Sequence, residues 1–126
     1  MRDIDEIEID EIDEDEIEER LKQLHIPFAS EYFADGKTVP YCVYLTPEAE
    51  YYGADGYNML RDQKFRIELY TLSKKAKQRK QLFDLFSDVP FSVIEISDNH
   101  GPRNYYLTII EFEQTLQLDN DDDDEE

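Results

Sequence analysis

The sequence predicts an α+β domain: an antiparallel or mixed sheet of four to five strands with two helices, in the order α-β-β-β-α-β-β. Three observations carry this reading. Ile17, Leu21 and Leu24 fall within about 60° of one another on a helical wheel. Phe65, Ile67 and Leu69 alternate with Arg66, Glu68 and Tyr70. A second long alternating run covers Tyr105 to Leu118.

The first helix is expected to begin near Asp13. Asp13 and Glu16 have the spacing of an N-cap and its N3 partner, and the acidic first turn suits the positive end of the helix dipole. Pro27 should stop the helix by Leu24 or His25. Ile26 to Phe33 is a short aromatic stretch closed by a turn at Asp35-Gly36. Val39 to Thr46 alternates Val39, Tyr41, Val43 and Leu45 against Pro40, Cys42 and Tyr44; Pro40 suggests an edge or a strand beginning, and Pro47 is expected to end it. Residues 47 to 57 then read as a loop carrying Tyr51, Tyr52 and Tyr57, ahead of the strand around Ile67. The second helix is expected over Lys74 to Phe86, with Ser73 as N-cap and Leu82, Phe83 and Phe86 as its apolar face. Phe91 to Ser97 and Tyr105 to Leu118 form the last hairpin, turned at His100-Gly101-Pro102. On its second strand Tyr106, Thr108, Ile110 and Phe112 share one face, with Leu107, Ile109, Glu111 and Glu113 on the other.

Length and charge set the domain organisation. The chain has 126 residues, 40% of them apolar, enough for one core and too few for two comfortable domains. Its net charge is -19, concentrated at the ends. Residues 1–20 hold 12 acidic and 2 basic residues, and residues 119–126 hold 7 acidic and none basic, so the other 98 residues are nearly neutral. The expected organisation is an acidic N-terminal extension over 1–12, a single α+β domain over 13–118, and a disordered acidic tail over 119–126. Two readings of the extension stay open: a solvated, frayed segment, or an arm that docks its isoleucines on a partner. Nonspecific attraction to nucleic acid or anionic lipid is disfavoured. No apolar run approaches the ~20 residues of a membrane span, and no secretory signal is expected. A single cysteine, Cys42, excludes an internal disulfide and fits a cytosolic chain.

The residues of catalysis are sparse, and an enzyme is not expected. Cys42 lies mid-strand in an apolar run and reads as structural, His25 sits at a helix end and His100 in a turn. Two histidines and one cysteine make a poor zinc set, and Asp119-Asn120-Asp121 lacks the glycine and closing spacing of a calcium loop. No phosphate-cradling glycine loop or nucleophile elbow is present, and no cofactor or metal site is expected. The aromatic residues lack the interleaved cations of a single-strand-binding platform and fit a core or a protein interface better.

Several segments, in order, resemble a known family: Ile17-Glu18-Glu19-Arg20-Leu21-Lys22-Gln23-Leu24-His25-Ile26-Pro27-Phe28-Ala29, Val39-Pro40-Tyr41-Cys42-Val43-Tyr44-Leu45, Tyr52-Gly53-Ala54-Asp55, Phe65-Arg66-Ile67-Glu68-Leu69-Tyr70-Thr71 and Tyr105-Tyr106-Leu107-Thr108-Ile109-Ile110-Glu111-Phe112-Glu113. Over residues 13 to about 116 the chain resembles the tail terminators, or tail-to-head joining proteins, of long-tailed bacteriophages and prophages of Gram-positive bacteria, some of them described as minor capsid proteins. The resemblance lies in the order of the segments, not in any single motif. It implies a virion protein of the phage neck, assembled in the host bacterial cytoplasm. Its subunits form a ring, usually a hexamer, that caps the tail tube. Implied partners are copies of the chain, the major tail tube protein and a head-side connector or closure protein; DNA passes through without specific binding. The family offers no catalytic residues to transfer. The longer acidic ends and the unusually basic start of the second helix depart from its pattern.

A ring needs two different contact patches on each subunit. The loop from Glu48 to Arg61 is one candidate, expected to touch a neighbouring subunit or to line the channel through Tyr51, Tyr52, Tyr57 and Arg61; the same residues could instead pack on the sheet. The basic cluster Lys74, Lys75, Lys77, Arg79 and Lys80 is the other, facing either solvent or the acidic residues of the next subunit. Two further functions stay open. A head-side adaptor would contact the connector in place of the tube, and a DNA-mimicking inhibitor would array its carboxylates on the folded surface.

Overall fold

A computed structural model describes residues 9–34, 36–54, 58–98 and 105–117. Two helices and a five-stranded mixed sheet make an α+β fold in the order expected. The helices are α1 (Glu14–Leu21) and α2 (Lys77–Leu85), and the strands are β1 (Phe28–Ser30), β2 (Tyr41–Ala54), β3 (Asn58–Thr71), β4 (Ser92–Asp98) and β5 (Tyr105–Gln117). The spatial order is β1-β2-β3-β5-β4. Among the described strands, β1 runs parallel to its neighbour, pairing Phe28 with Cys42; the other pairs are antiparallel.

α1 starts where its cap dictates. Asp13 is extended and its Oδ1 accepts a 2.9 Å hydrogen bond from the Glu16 amide. Glu16 does not complete the reciprocal box but pairs with Arg20 one turn on. A 3-10 turn over Lys22–Leu24 ends the helix, and His25 closes it in the left-handed conformation at φ 58°, two residues before Pro27.

Both helices lie on one face of the sheet. Ile17, Leu21 and Leu24 meet Cys42 and Tyr44 of β2, Phe65, Ile67 and Leu69 of β3, Ile110, Phe112 and Leu116 of β5, and Leu82 and Phe86 from α2 and its end. Phe112 lies between Phe65 and Phe86, with ring centroids 5.5 Å apart on either side. Ile12 joins this core at 4% exposure. The segment leading to it is tied to β5, where the Asp10 amide donates to the Thr115 carbonyl and the Thr115 amide to Asp10 Oδ2. Residues 9–12 of the expected extension are thus held against the domain, and Ile12 docks in its own core.

Four expectations need correction. β2 does not end at Pro47 but continues to Ala54, because Pro47 falls at a register shift between Leu45 and Glu48, where a missing amide leaves no ladder bond unmade. The expected loop over 47–57 is therefore a hairpin, with β2 and β3 paired out to Ala54 and Asn58. α2 begins at Lys77, not Lys74, with Ala76 at the N-cap. Ser73 caps a preceding turn instead, its Oγ accepting from the Lys75 amide. Residues 1–8, Asp35, Tyr57, His100-Gly101-Pro102 and the acidic tail 119–126 lie outside the described residues. No helix among the described residues is long and apolar enough to cross a membrane.

Candidate subunit interface

Antiparallel pairing leaves a second sheet face opposite the helices. Three of its rungs cross the half nearer Tyr105. The first joins Tyr41, Tyr70, Leu107 and Ile96; the second joins Val43, Glu68, Ile109 and Ile94; the third joins Leu45, Arg66 and Glu111. Among the described residues no helix contributes to this face, since all helical core residues pack on the other.

The first rung is aromatic and aliphatic throughout. Tyr41 stacks on Tyr70 at 4.7 Å, Phe33 meets Tyr41 edge-on at 5.6 Å, and Tyr105 meets Tyr70 at 5.6 Å. Four rings thus form a continuous row. The Tyr70 hydroxyl donates to Glu68, 2.9 Å away, and burial together with that carboxylate raises its pKa. The third rung is charged: Arg66 lies 3.3 Å from Glu68 and 3.6 Å from Glu111. The face therefore grades from apolar at the Tyr105 end of β5 to charged at its middle.

β4 is the outer strand of this face. Among the described residues, no strand lies beside one side of its backbone. Ile94 and Ile96 on this face are each 45% exposed, and Val93, opposite Ile110 on the helix face, is 43% exposed, an unusual load of apolar surface for an edge strand, which usually carries charge or proline to discourage pairing.

The residues singled out in the sequence fall into two groups at opposite ends of the sheet. Tyr51 projects from the hairpin at 55% exposure. Tyr52 is half-buried, its hydroxyl donating to Asp62, which also accepts from Thr115 Oγ1 at 2.7 Å. Arg61 faces inward and forks onto both oxygens of Glu14 at 3.2 Å, pinning the hairpin to the start of α1. Lys74, Lys75, Lys77 and Lys80 are exposed around the start of α2. Arg79 bonds Glu95 of β4 at 2.6 Å and covers the Phe83 ring, and that hydrogen bond holds the Glu95 carboxyl below its usual pKa. Arg61 lies opposite Leu116 and Glu95 opposite Thr108, so the two groups stand about 26 Å apart along β5. The structure does not bring them together within one subunit.

The sequence reading missed the aromatic row and the exposed face of β4. Alternation in each strand showed which residues share a face. Only the register, Tyr41 opposite Tyr70 and Ile96 opposite Leu107, shows that those faces form one surface.

Cys42 is fully buried, and burial pushes its thiol pKa up, away from the nucleophilic thiolate. His25 is exposed at the end of the 3-10 turn. Among the described residues no group of three or more histidine, cysteine or acidic side chains could hold a metal ion. In comparisons with known proteins, no family model and no curated protein matches the chain.

Proposed function

We propose that the chain is a structural subunit that works by meeting copies of itself in a ring, as the resemblance to phage tail terminators implies. In this reading the ring, a hexamer, caps the tail tube in the virion neck. The major tail tube protein lies on one side, a head-side connector or closure protein on the other, and DNA passes through the centre. The function is complementarity of surfaces, and it needs no reactive centre.

The observation that supports this most is β4. An edge strand with no outer strand partner among the described residues, and with Ile94 and Ile96 exposed on the sheet face without helices, is a surface ready for a neighbouring chain. The aromatic row beside it supplies contact area at low entropic cost. Replacing Ile94 and Ile96 together by lysine places two charges on this surface. Sedimentation velocity of the double variant should show loss of the ring with an unchanged circular dichroism spectrum. A variant that assembles like the parent would remove β4 from the contact. Electron microscopy of isolated virions tests the neck position: the chain should lie between tail tube and head, and its absence there would overturn the assignment.

A further inference from the structure

β4 presents an edge that lacks the usual guards. Among the described residues no strand pairs with its outer side, and its seven residues, Ser92–Asp98, include no lysine, arginine or proline. Those are the residues that normally keep an edge from pairing. The strand is also symmetric about Glu95 at its nearest neighbours. Ile94 and Ile96 flank it on the face without helices, opposite Ile109 and Leu107 of β5, and are each 45% exposed. Val93 and Ser97 follow on the helix face, which Glu95 shares. Glu95 is not a free charge there: Arg79 of α2 donates to its carboxylate at 2.6 Å and lies over the Phe83 ring.

We propose that the free chain pairs with a second copy of itself through β4, antiparallel and centred on Glu95, so that their two five-stranded sheets become one. Directly opposite residues of an antiparallel pair share a face, and a two-fold axis normal to the sheet passes through one residue position, so few registers are open. Centring on Glu95 overlaps the whole strand and sets Ile94 of each copy against Ile96 of the other. Centring on Ile94 sets Ile96 against Ser92, and centring on Ile96 sets Ile94 against Asp98; each leaves isoleucine against a polar residue. The favoured register brings the two Glu95 residues opposite one another, which alone would be destabilising. Each arrives with its own Arg79, so the axis carries two carboxylates and two guanidiniums in balance. The pairing goes beyond the ring reading and uses the same edge. A two-fold contact cannot join neighbours around a cyclic ring, so the pair is the form in which the free chain covers β4 before a ring neighbour takes it.

Single cysteines in the full chain read the register. Cys42 is fully buried and stays silent. In the proposed pair position 94 faces position 96 of the other copy, within disulfide reach, whereas 94 and 94, or 96 and 96, lie about 8 Å apart, beyond it. A mixture of I94C and I96C chains should therefore form the joint disulfide under mild oxidation about tenfold faster than either variant alone, and faster by as much than S87C, an exposed control. V93C mixed with S97C repeats the test on the other face, and circular dichroism checks that each variant folds. Sedimentation of the parent should show a species near ~30 kDa. Fast disulfides within I94C alone or I96C alone place the axis elsewhere and overturn the proposal. Mixtures no faster than S87C, in a chain that still assembles, overturn it and leave the ring reading standing. Fast mixed disulfides in a chain that forms no ring on isolated tail tubes support the pair and overturn the ring. A chain that stays monomeric throughout overturns both.

Discussion

Arg20→Ala should cost more than a surface arginine normally would. Arg20 sits near the end of α1 with its side chain only 16% exposed. Its Nε donates to Glu16 at 2.9 Å, Nη1 to Asp88 at 2.8 Å and to the Leu85 carbonyl at 2.9 Å, and Nη2 to the second Asp88 oxygen at 2.9 Å. The guanidinium also covers the Phe86 ring, 5.3 Å from its centroid. The last turn of α2 has no basic residue of its own, so Arg20 supplies a cation there and a donor for the Leu85 carbonyl. The carbonyl bond to a charged donor is worth about 1.5–3 kcal/mol. The contact with the ring adds ~0.5–1 kcal/mol. The pairs with Glu16 and Asp88, whose carboxylates are 42% and 58% exposed, add little each, ~0–1 kcal/mol. These terms overlap, and the expected loss is about 2–4 kcal/mol.

Urea unfolding followed by far-ultraviolet circular dichroism measures this loss. Arg20→Lys should recover only part of it, because an ammonium group cannot reproduce the fork. Most of the loss should persist in 1 M NaCl, where exposed pairs are screened over about 3 Å. A loss below about 0.5 kcal/mol, or one that vanishes in high salt, would show Arg20 to be an ordinary surface ion pair and would refute the reasoning.

Other expectations follow from the same contacts. The Arg20 hydrogen bonds hold the Asp88 carboxyl below its ordinary pKa near 3.8. Its contribution is therefore full above that value and is lost as pH falls through the lower, folded-state pKa; Asp88→Asn should flatten that part of an acid unfolding curve. Tyr44 has the opposite sign. Burial and its hydrogen bond to Glu18 push its phenol up to about 12, so its contribution is full below pH 10 and disappears as pH rises through the folded value. Ultraviolet titration should show this tyrosine ionising late, and Tyr44→Phe should cost roughly 1 kcal/mol near neutrality. Phe65→Ala opens a cavity beside Phe112, between the sheet and the helices, and should cost about 3–5 kcal/mol by urea unfolding. Cys42, fully buried, should resist an aromatic disulfide reagent until the protein unfolds.

Much of this fold was legible because local chemistry and tertiary contact agree. Asp13 caps α1 in any context, Phe65, Ile67 and Leu69 alternate toward the core, and the faces of β5 follow their period of two. Where the reading failed, the deciding information was long-range. Pro47 looks like a terminator in a one-dimensional scan, and only the β3 register shows that it falls in a bulge. The polar residues of 48–54 form a strand because β3 offers a ladder, not because they are apolar. Ser73 and the lysines after it suit a turn as well as a first helical turn, and the structure uses the turn. The candidate surface was the least legible part. Tyr41, Tyr70 and Tyr105 are far apart in sequence and become one row only through pairing. Arg61, which looked like a contact residue, is engaged by Glu14 across 47 positions of sequence.

The central claim is that this chain acts through contacts between its copies. Native mass spectrometry tests it most directly, on the full chain alone and with isolated tail tubes. Six copies of a 15.0 kDa chain predict a species near ~90 kDa. A 15.0 kDa monomer at every concentration, with tubes present and absent, would contradict the account.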